Sequence, residues 1–416
     1  MTYRIASIAT TLSDGAGIAT RRILESLEPN LESIVQFVAN SSPNDPDYTY
    51  TAGRIYPSLA MRLKSRLTSK LFPDSDFSAR LQILHQRYAL KYELFSHPFS
   101  SEYDQCFLNE HLVDLVHLHW ISGFVDFPSF FQACSLPIVW TLHDQFPYLG
   151  GFHYQYDLDR NPEISSLEAE CFAIKQTSLR STKLAVIGNS EWNTNEARNS
   201  GMFPRSTYFQ TIYYPLDTVA ISPRNKKSSR LVLNLDPQSI YIGFAATDVG
   251  NSRKGFSVLI DALNLLSATG LRFSLLTFGR RPSLASTSEW RLPWHHFGFV
   301  DDDRLKSIIF SAMTCFVVPS LAEAFGQTAI EAMACETVVI ASNVGGLAEA
   351  VGTSGILFEP GNSLQLFHSL QALLGHEPSL ADLGREARAS VVLRHDPARC
   401  AKQYLNVYET LLSQNG

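Results

Sequence analysis

Short apolar runs rich in β-branched residues alternate along this chain with segments whose apolar residues recur at helical spacing. Such alternation predicts parallel sheets joined by crossover helices, because strands buried on both faces are apolar throughout. The first half carries six candidate strands, at 4–9, 33–38, 115–118, 138–142, 184–188 and 211–213. They predict one doubly wound α/β domain.

A second series of strands follows a polar, basic stretch at 222–230, which is typical of a linker between domains. Its candidate strands are 241–245, 272–279, 315–318 and 338–341, with helices beginning near Phe256, Asp301 and Gly326. A length of 416 residues suits two domains. We predict an acceptor-side domain at 1–217 and a donor domain at 218–395. The last helix, 396–416, can belong to either half, and one alternative is that it packs back on the first domain.

The strongest chemical pattern lies after the candidate strand 315–318 and leads into a helix. Glu323 is predicted in the loop, and the free amides of Phe325, Gly326 and Gln327 at the helix N-terminus attract phosphate or hydroxyl oxygens. Glu331, farther along the helix, can accept hydrogen bonds from two vicinal hydroxyls, as in a ribose. For Glu323 alone, an acidic residue that complements the helix dipole is the alternative.

Glu323 and Glu331 are separated by seven residues, with Phe-Gly at the turn, and Gly345-Gly-Leu-Ala-Glu349 follows the next strand. This pattern resembles the E-x7-E signature of family 4 glycosyltransferases. The resemblance implies the GT-B fold, in which two Rossmann-like domains face an interdomain cleft. It also implies transfer of a sugar from a nucleotide-diphosphate donor with retained configuration, in polysaccharide or glycolipid synthesis. Family members commonly have Gly where this chain has Glu336.

Two cations, Arg253 and Lys254, stand between a predicted strand and the helix from Phe256. At such a junction they can neutralise a diphosphate leaving group as its charge develops. A solvated basic turn is the alternative. In the resembled family an Arg and a Lys here bind the donor diphosphate, usually with more residues between them, so the assignment is firmer for Lys254 than for Arg253.

Gly15 and Gly17 lie in a loop that follows the first predicted strand and opens a helix. Glycine allows close approach of the backbone to a phosphate, although a simple tight turn explains the pattern equally well. In the resembled family this loop approaches the donor diphosphate.

Four histidines of the first half, His117, His119, His143 and His153, suggest a zinc site, but no cysteine accompanies them and their spacing fits no helix-borne motif. The resemblance gives a different interpretation. Thr-Leu-His143-Asp144 is similar to a strand end whose histidine faces the donor sugar, which makes His143 a catalytic candidate. Asp144 and His119 become acceptor-side candidates, with core histidines as the alternative.

Three acidic triplets, 74–76, 157–159 and 301–303, have the spacing of a metal-binding DxD motif. The third precedes a helical apolar pattern and is better interpreted as a helix cap, and the other two follow no apolar strand. We therefore predict no metal and no cofactor beyond the nucleotide-sugar substrate.

The 34 basic and 40 acidic residues give a formal charge of −6, which does not favour a nucleic-acid partner. The N-terminus lacks the pattern of a signal peptide, and no apolar run has the ~18 residues of a membrane helix. A soluble cytoplasmic protein is expected. Segment 59–72 has leucines four residues apart among basic residues, which fits either a surface helix or a peripheral contact with the inner membrane face.

In the mechanism that these residues suggest, Lys254, Arg253 and the helix amides stabilise the leaving nucleoside diphosphate. Glu331 holds the ribose, while Glu323 and His143 position the transferred sugar for an acceptor hydroxyl. Two other functions are compatible with the same motifs: a nucleotide-sugar epimerase, and a nucleotide-sugar-binding subunit without turnover.

Overall fold

The computed structural model describes residues 3–39, 49–51, 77–99, 112–280, 292–375 and 377–413. The chain divides into two compact units, which we call unit 1 (Met1–Ile212 with Ala401–Gly416) and unit 2 (Tyr213–Cys400). The ranges 1–217, 218–395 and 396–416 and their assigned roles stay predictions. The basic segment 59–72 and the triplet 74–76 lie outside the described residues.

Unit 1 contains a parallel sheet of seven described strands in the order β3-β2-β1-β4-β5-β6-β7. The strands are β1 (Arg4–Ala9), β2 (Ser33–Val38), β3 (Thr49–Thr51), β4 (Leu115–Leu118), β5 (Ile138–Leu142), β6 (Leu184–Gly188) and β7 (Tyr208–Thr211). Its α-helices are Gly15–Leu27, Phe77–Arg87, Phe127–Ala133, Gln155–Asp159, Ser165–Leu179, Glu191–Asn199 and most of Pro397–Ser413. The strand order reverses beside β1, and such a point in a doubly wound sheet is where ligands bind.

The central strands β4, β5 and β6 are buried at every position, as expected for a parallel sheet covered on both faces. Large aromatic side chains fill the space between the sheet and its helices. Phe127, Phe130, Trp140 and Phe146 belong to this core. The terminal helix forms two hydrogen bonds with the sheet, between Tyr404 and Thr141 (3.1 Å) and between Tyr408 and His117 (2.8 Å).

Unit 2 contains a parallel sheet of six described strands in the order β10-β9-β8-β11-β12-β13. The strands are β8 (Tyr241–Asp248), β9 (Ser274–Arg280), β10 (Trp294–His296), β11 (Cys315–Val318), β12 (Val338–Ser342) and β13 (Ile356–Phe358). Its α-helices are Lys226–Val232, Phe256–Ala268, Asp303–Ala312, Gln327–Ala334, Gly345–Val351, Ser363–Leu374 and Glu377–Arg394.

The predicted α/β class with two parallel sheets is therefore confirmed. One local prediction is wrong, because the stretch interpreted as a linker contains the helix Lys226–Val232. Asn225 caps this helix by accepting from the amide of Ser228. The helix is anchored to unit 2 by the buried Arg230, which donates to the carbonyls of Ala312 (2.9 Å) and Pro237 (2.8 Å).

No helix among the described residues is both long enough and apolar enough to cross a membrane.

Candidate active site

The basic turn of unit 2 lies between β8 and the helix Phe256–Ala268. Residues Ser252–Lys254 form a short 3-10 helix capped by Asn251, and Gly255 follows with a φ of +72°. A Cβ at Gly255 would lie 1.8 Å from the carbonyl oxygen of Pro319. Only glycine therefore permits this turn to pack against the end of β11.

This packing brings both cations of the turn to Glu323. Lys254 Nζ lies 2.5 Å from Glu323 Oε2, and Ser320 Oγ donates to the same oxygen at 3.3 Å. Arg253 Nη1 donates to the carbonyl of Ala322 at 2.9 Å and lies 3.9 Å from Glu323 Oε2. The structure thus brings the adjacent Arg253 and Lys254 to Glu323, although Lys254 and Glu323 are 69 positions apart in the sequence.

The two cations differ in exposure. The Arg253 side chain is 6% exposed and the Lys254 side chain 26%. Arg253 also holds the neighbouring loop with its backbone, since its carbonyl accepts from the amide of Leu321 at 2.7 Å. Lys254 is therefore the more solvent-accessible of the two cations, and Arg253 stabilises the loop on which Glu323 lies.

The helix Gln327–Ala334 begins directly after this loop. Gly326 precedes it with a φ of +106°, and a Cβ there would meet Leu347 at 2.6 Å, so this position also requires glycine. The carbonyl of Glu323 accepts from the amide of Gly346 at 3.2 Å, which joins the Gly345-Gly346 turn to the same loop. The first turn of this helix therefore begins four residues after Glu323, and the ion pair with Glu323 brings Lys254 to the same loop.

Two predicted residues of this segment are buried. The ring of Phe325 packs against Tyr213, Tyr214 and His395, so its side chain belongs to the core of unit 2 and only its backbone is available to a ligand. Glu331 has a side chain that is 5% exposed, and its Oε1 lies 3.9 Å from Lys306 Nζ. Lys306 was not among the residues predicted from the sequence.

The glycine loop of unit 1 opens the helix Gly15–Leu27. Asp14 caps the helix by accepting from the amide of Gly17 at 2.7 Å. A Cβ at Gly17 would lie 2.4 Å from the carbonyl carbon of Leu12, whereas a Cβ at Gly15 would meet nothing within 4 Å. Packing alone therefore explains Gly17, and Gly15 has the open surroundings that a ligand could occupy.

Three histidines lie side by side at the carboxyl ends of β4 and β5. The rings of His117 and His119 are 4.1 Å apart, and His119 Nδ1 lies 3.3 Å from His143 Nε2. His117 is fully engaged by Thr141 and Tyr408, each at 2.8 Å. His119 Nε2 is buried and has no hydrogen-bond partner among the described residues.

These histidines are neutral at pH 7. Burial lowers the pKa of His117 to about 3 and the pKa of His143 to about 4, the latter against an opposing effect of Asp144. Burial, reinforced by His117 and His143, also lowers the pKa of His119 well below its ordinary value. The cluster therefore contains hydrogen-bonding ring nitrogens but supplies no positive charge.

Asp144 is occupied by partners of its own unit. Its Oδ2 accepts from Trp120 Nε1 (2.8 Å) and from His153 Nδ1 (2.6 Å), and its Oδ1 accepts from the amide of Phe146 (3.0 Å). Burial by itself would raise the pKa of Asp144, but the interactions with His153, Trp120 and Phe146 hold it below its usual value. These contacts make Asp144 an organiser of the loop that begins after β5.

Sequence reasoning also missed the residues that hold this loop from the helix Ser165–Leu179. The buried Glu168 accepts from the amides of Gly150 (2.5 Å), Gly151 (2.6 Å) and Phe152 (3.1 Å). Lys175 donates to three loop carbonyls, including that of Leu149 at 2.8 Å, and burial lowers its pKa to about 7. Their spacing of seven residues on one helix was the available signal, since it places both charges on the same face.

Residues 239–376 match the family model described as glycosyl transferases group 1. An uncharacterized glycosyltransferase of Methanocaldococcus jannaschii is 33% identical over 319 residues, which cover 73% of this chain and 77% of the relative. The chain belongs to the group 1 glycosyltransferases.

Other relatives of this family are named by their activities. The D-inositol 3-phosphate glycosyltransferase of Rhodococcus opacus is 44% identical over 292 residues, which cover 66% of this chain and 62% of the relative. The O-antigen chain mannosyltransferase B of Escherichia coli is 28% identical over 233 residues, or 50% of this chain and 59% of the relative. The matched region thus spans less than two thirds of the length of either relative.

Solved structures with low sequence identity to this chain share its fold. Sucrose-phosphate synthase from Thermosynechococcus elongatus has a TM-score of 0.71 at 21% identity, covering 99% of this chain and 100% of the other. Anabaena HepE in complex with UDP-glucose has a TM-score of 0.67 at 16% identity, covering 98% and 100%. These likenesses confirm the predicted GT-B fold class.

Proposed function

We propose that this group 1 glycosyltransferase moves a sugar from a nucleoside-diphosphate sugar to an acceptor hydroxyl and retains the anomeric configuration. The observation that carries the proposal is the cluster of Lys254, Arg253 and Glu323 beside the start of the Gln327–Ala334 helix, which also bears Glu331. Retention is taken from the family.

The donor diphosphate is assigned to Lys254 and to the amides of Phe325, Gly326 and Gln327. Lys254 is partly exposed and ion-paired with Glu323. Its ammonium can therefore also bind an incoming diphosphate, while Glu323 accepts hydrogen bonds from the sugar. Charge on the leaving diphosphate grows as the glycosidic bond breaks, and a fixed cation stabilises that charge. Arg253 acts mainly by holding the loop.

The nucleoside is assigned to Glu331, whose carboxylate would accept from two ribose hydroxyls. We further propose a UDP-sugar as donor, since structures of HepE, which has the same fold, are described in complex with UDP-glucose and with UDP and glucose. The wider function, in polysaccharide or glycolipid synthesis, is supported by relatives named as O-antigen and D-inositol 3-phosphate transferases.

Unit 1 is assigned the remaining roles. The neutral ring of His143 would contact the transferred sugar, with His119 beside it and Asp144 shaping the loop that follows. Gly15 and Gly17 stay candidates for the donor diphosphate, with Gly15 the better placed because it has open surroundings.

We also propose that no divalent cation is needed, because Lys254 and the helix amides supply positive charge to the diphosphate. The test is to incubate the purified chain with UDP-sugars and a panel of hydroxyl acceptors in excess EDTA and to analyse the products. A retained-configuration glycoside should form at the rate seen without EDTA. A changed donor without any glycoside would indicate an epimerase, and donor binding without products would indicate a binding subunit. Loss of activity that Mn²⁺ or Mg²⁺ restores would remove the claim of metal independence.

A further inference from the structure

A buried lysine lies next to the carboxylate that we assign to the ribose. Lys306 Nζ is 2.9 Å from Asp303 Oδ1 and 3.9 Å from Glu331 Oε1, and its side chain is 5% exposed. The lysine thus lies between one carboxylate on its own helix and one on the helix Gln327–Ala334.

The position of Lys306 is fixed by the way its helix starts. Asp302 caps the helix Asp303–Ala312 by accepting from the amide of Leu305 at 2.6 Å, which confirms the interpretation of the 301–303 triplet as a cap. Asp303 and Lys306 are then one turn apart on the same face. Ser307 fixes the register further, because its hydroxyl donates to the carbonyl of Ala220 at 2.8 Å.

The surroundings of Glu331 also include groups from other elements. Arg388, on the helix Glu377–Arg394, directs its guanidinium to the carbonyls of Ala334 and Thr218. The thiol of Cys335 is neutral, since burial, opposed by a hydrogen bond with Ser307 and assisted by Glu331, raises its pKa to about 12. Lys306 is therefore a cation whose ammonium is directed at carboxylates, and Glu331 is one of the two.

We propose that Lys306 is a positioning residue for the donor: it orients the Glu331 carboxylate so that both oxygens can meet the two ribose hydroxyls. This inference rests on the proposed function. Lys306 does not touch the nucleotide, and its effect should therefore depend on whether the ligand has the hydroxyls that Glu331 binds. A lysine that only joins two helices would affect every ligand alike.

The experiment uses this difference. Calorimetric titration measures the affinity of the full chain for UDP and for 2′,3′-dideoxy-UDP, which lacks both hydroxyls. The variants are Lys306→Met, Glu331→Gln and the double variant. The control is Lys227→Met, which removes an exposed lysine of unit 2 with the same change in net charge. Circular dichroism verifies folding, and Lys306→Gln replaces Lys306→Met in every measurement if the latter does not fold.

Lys306→Met should weaken UDP binding about tenfold, equivalent to ~1.4 kcal/mol, and should change dideoxy-UDP binding by less than about twofold. In the Glu331→Gln background the same substitution should have little further effect on UDP, because the two residues act as a unit. Lys227→Met should bind both nucleotides as the unmodified chain does.

Equal losses for UDP and dideoxy-UDP, or an undiminished loss in the Glu331→Gln background, would overturn the proposal in favour of a purely structural lysine. Unchanged UDP affinity in Lys306→Met would overturn it as well. Failure of the unmodified chain to bind UDP, ADP or GDP would instead count against the proposed function, so the two failures are distinguishable. If ADP or GDP binds best, its dideoxy analogue takes the place of dideoxy-UDP.

Discussion

At the scale of single residues, the adjacent cations Arg253 and Lys254 are equivalent in the sequence but different in the structure. The guanidinium of Arg253 is buried and donates to a backbone carbonyl, while the ammonium of Lys254 is partly exposed and pairs with Glu323. The two side chains differ in this way although both lie on the same short capped turn, which ends at Gly255. The proposed contact with the donor diphosphate therefore rests on Lys254, and a substitution at Arg253 should act through the stability of the loop.

The first prediction concerns Lys254→Ala. If Lys254 stabilises charge that appears as the bond to the sugar breaks, the variant should lower kcat by about 10²–10³-fold and raise the donor KM less. Steady-state kinetics with varied donor measures both constants. Lys227→Ala, an exposed lysine of the same unit, is the control and should be fully active. Near-normal kcat and KM in Lys254→Ala would remove Lys254 from the proposed donor site.

The second prediction concerns Glu336, where family members commonly have glycine. Its φ of +58° lies in the left-handed region, which costs a residue with a Cβ free energy that glycine does not lose. Glu336→Gly should therefore raise the free energy of unfolding by about 0.5–1 kcal/mol. Glu336→Ala, which keeps the Cβ and removes the carboxylate, should give no such gain. Urea denaturation compares the three proteins, and an equal gain in both variants would assign the effect to the charge.

At the scale of elements, the helix Ser165–Leu179 acts as a support for the loop after β5. Glu168 satisfies three consecutive amides, and Lys175 satisfies carbonyls of the same loop. A Cβ at Gly150 would lie 2.0 Å from the carbonyl of Glu168, so the loop can approach the helix only through glycine. This support fixes the segment that starts with His143 and Asp144.

The third prediction follows from the three amides. Glu168→Ala leaves buried N–H groups without an acceptor, and each such group costs about 1–3 kcal/mol. The variant should lose about 3 kcal/mol of stability or more, measured by urea denaturation. Glu170→Ala is the matched control two positions away, because Glu170 forms an ion pair with Arg80 at 43% exposure and should contribute less than about 1 kcal/mol. Similar small losses in both variants would show that water can replace the Glu168 carboxylate.

These elements also show what the sequence could predict. The strands at 4–9, 33–38, 115–118, 138–142, 184–188 and 315–318 have the predicted bounds, because strands buried on both faces are continuous apolar runs. The three-residue strands Thr49–Thr51, Trp294–His296 and Ile356–Phe358 were not predicted, since they are too short to show a period.

The candidate site also contains residues that the sequence indicated and residues that it did not. Glu323, Lys254 and Glu331 belong to motifs that follow strands, so the sequence could name them as candidates, whereas it could not name the side chains that contact them. Lys306 is distant in the chain from Glu331, and nothing local in its own helix indicates that its ammonium is buried. Long-range ion pairs of this kind depend on how two helices pack against each other, and the periodicity of the sequence does not predict that packing.

At the scale of the whole molecule, both units bury histidines that are neutral when folded. Unit 1 contains His117, His119 and His143, and unit 2 contains His395, whose Nδ1 bonds the carbonyl of Tyr214 at 2.8 Å. Burial lowers the pKa of His395 to about 4, despite this hydrogen bond. A neutral histidine in the native state gains protons on unfolding in mild acid, so acid should destabilise each unit.

The last prediction gives this effect a sign and a size. The folded-state pKa values of His117 (about 3), His143 (about 4) and His395 (about 4) lie below the unfolded value of 6.5. The unfolded chain therefore binds more protons between these limits, and stability must fall as the pH falls. Between pH 6.5 and pH 5.0 each such histidine should remove about 1.5 kcal/mol.

The other shifted groups considered among the described residues do not reverse the trend between pH 6.5 and 5.0. Asp14, whose pKa burial raises, works in the opposite direction but as a single group, and the depressed pKa of Asp144 matters only below about 3.8. The pKa of Lys175 is lowered to about 7, so its effect on the pH dependence of stability falls largely above pH 6.5. Urea denaturation at pH 6.5 and 5.0 should show lower stability at pH 5.0. In His395→Gln the loss of stability between pH 6.5 and pH 5.0 should be smaller by about 1.5 kcal/mol, the contribution expected of one histidine. Equal stability at the two pH values would mean that the buried histidines are accessible to protons without unfolding.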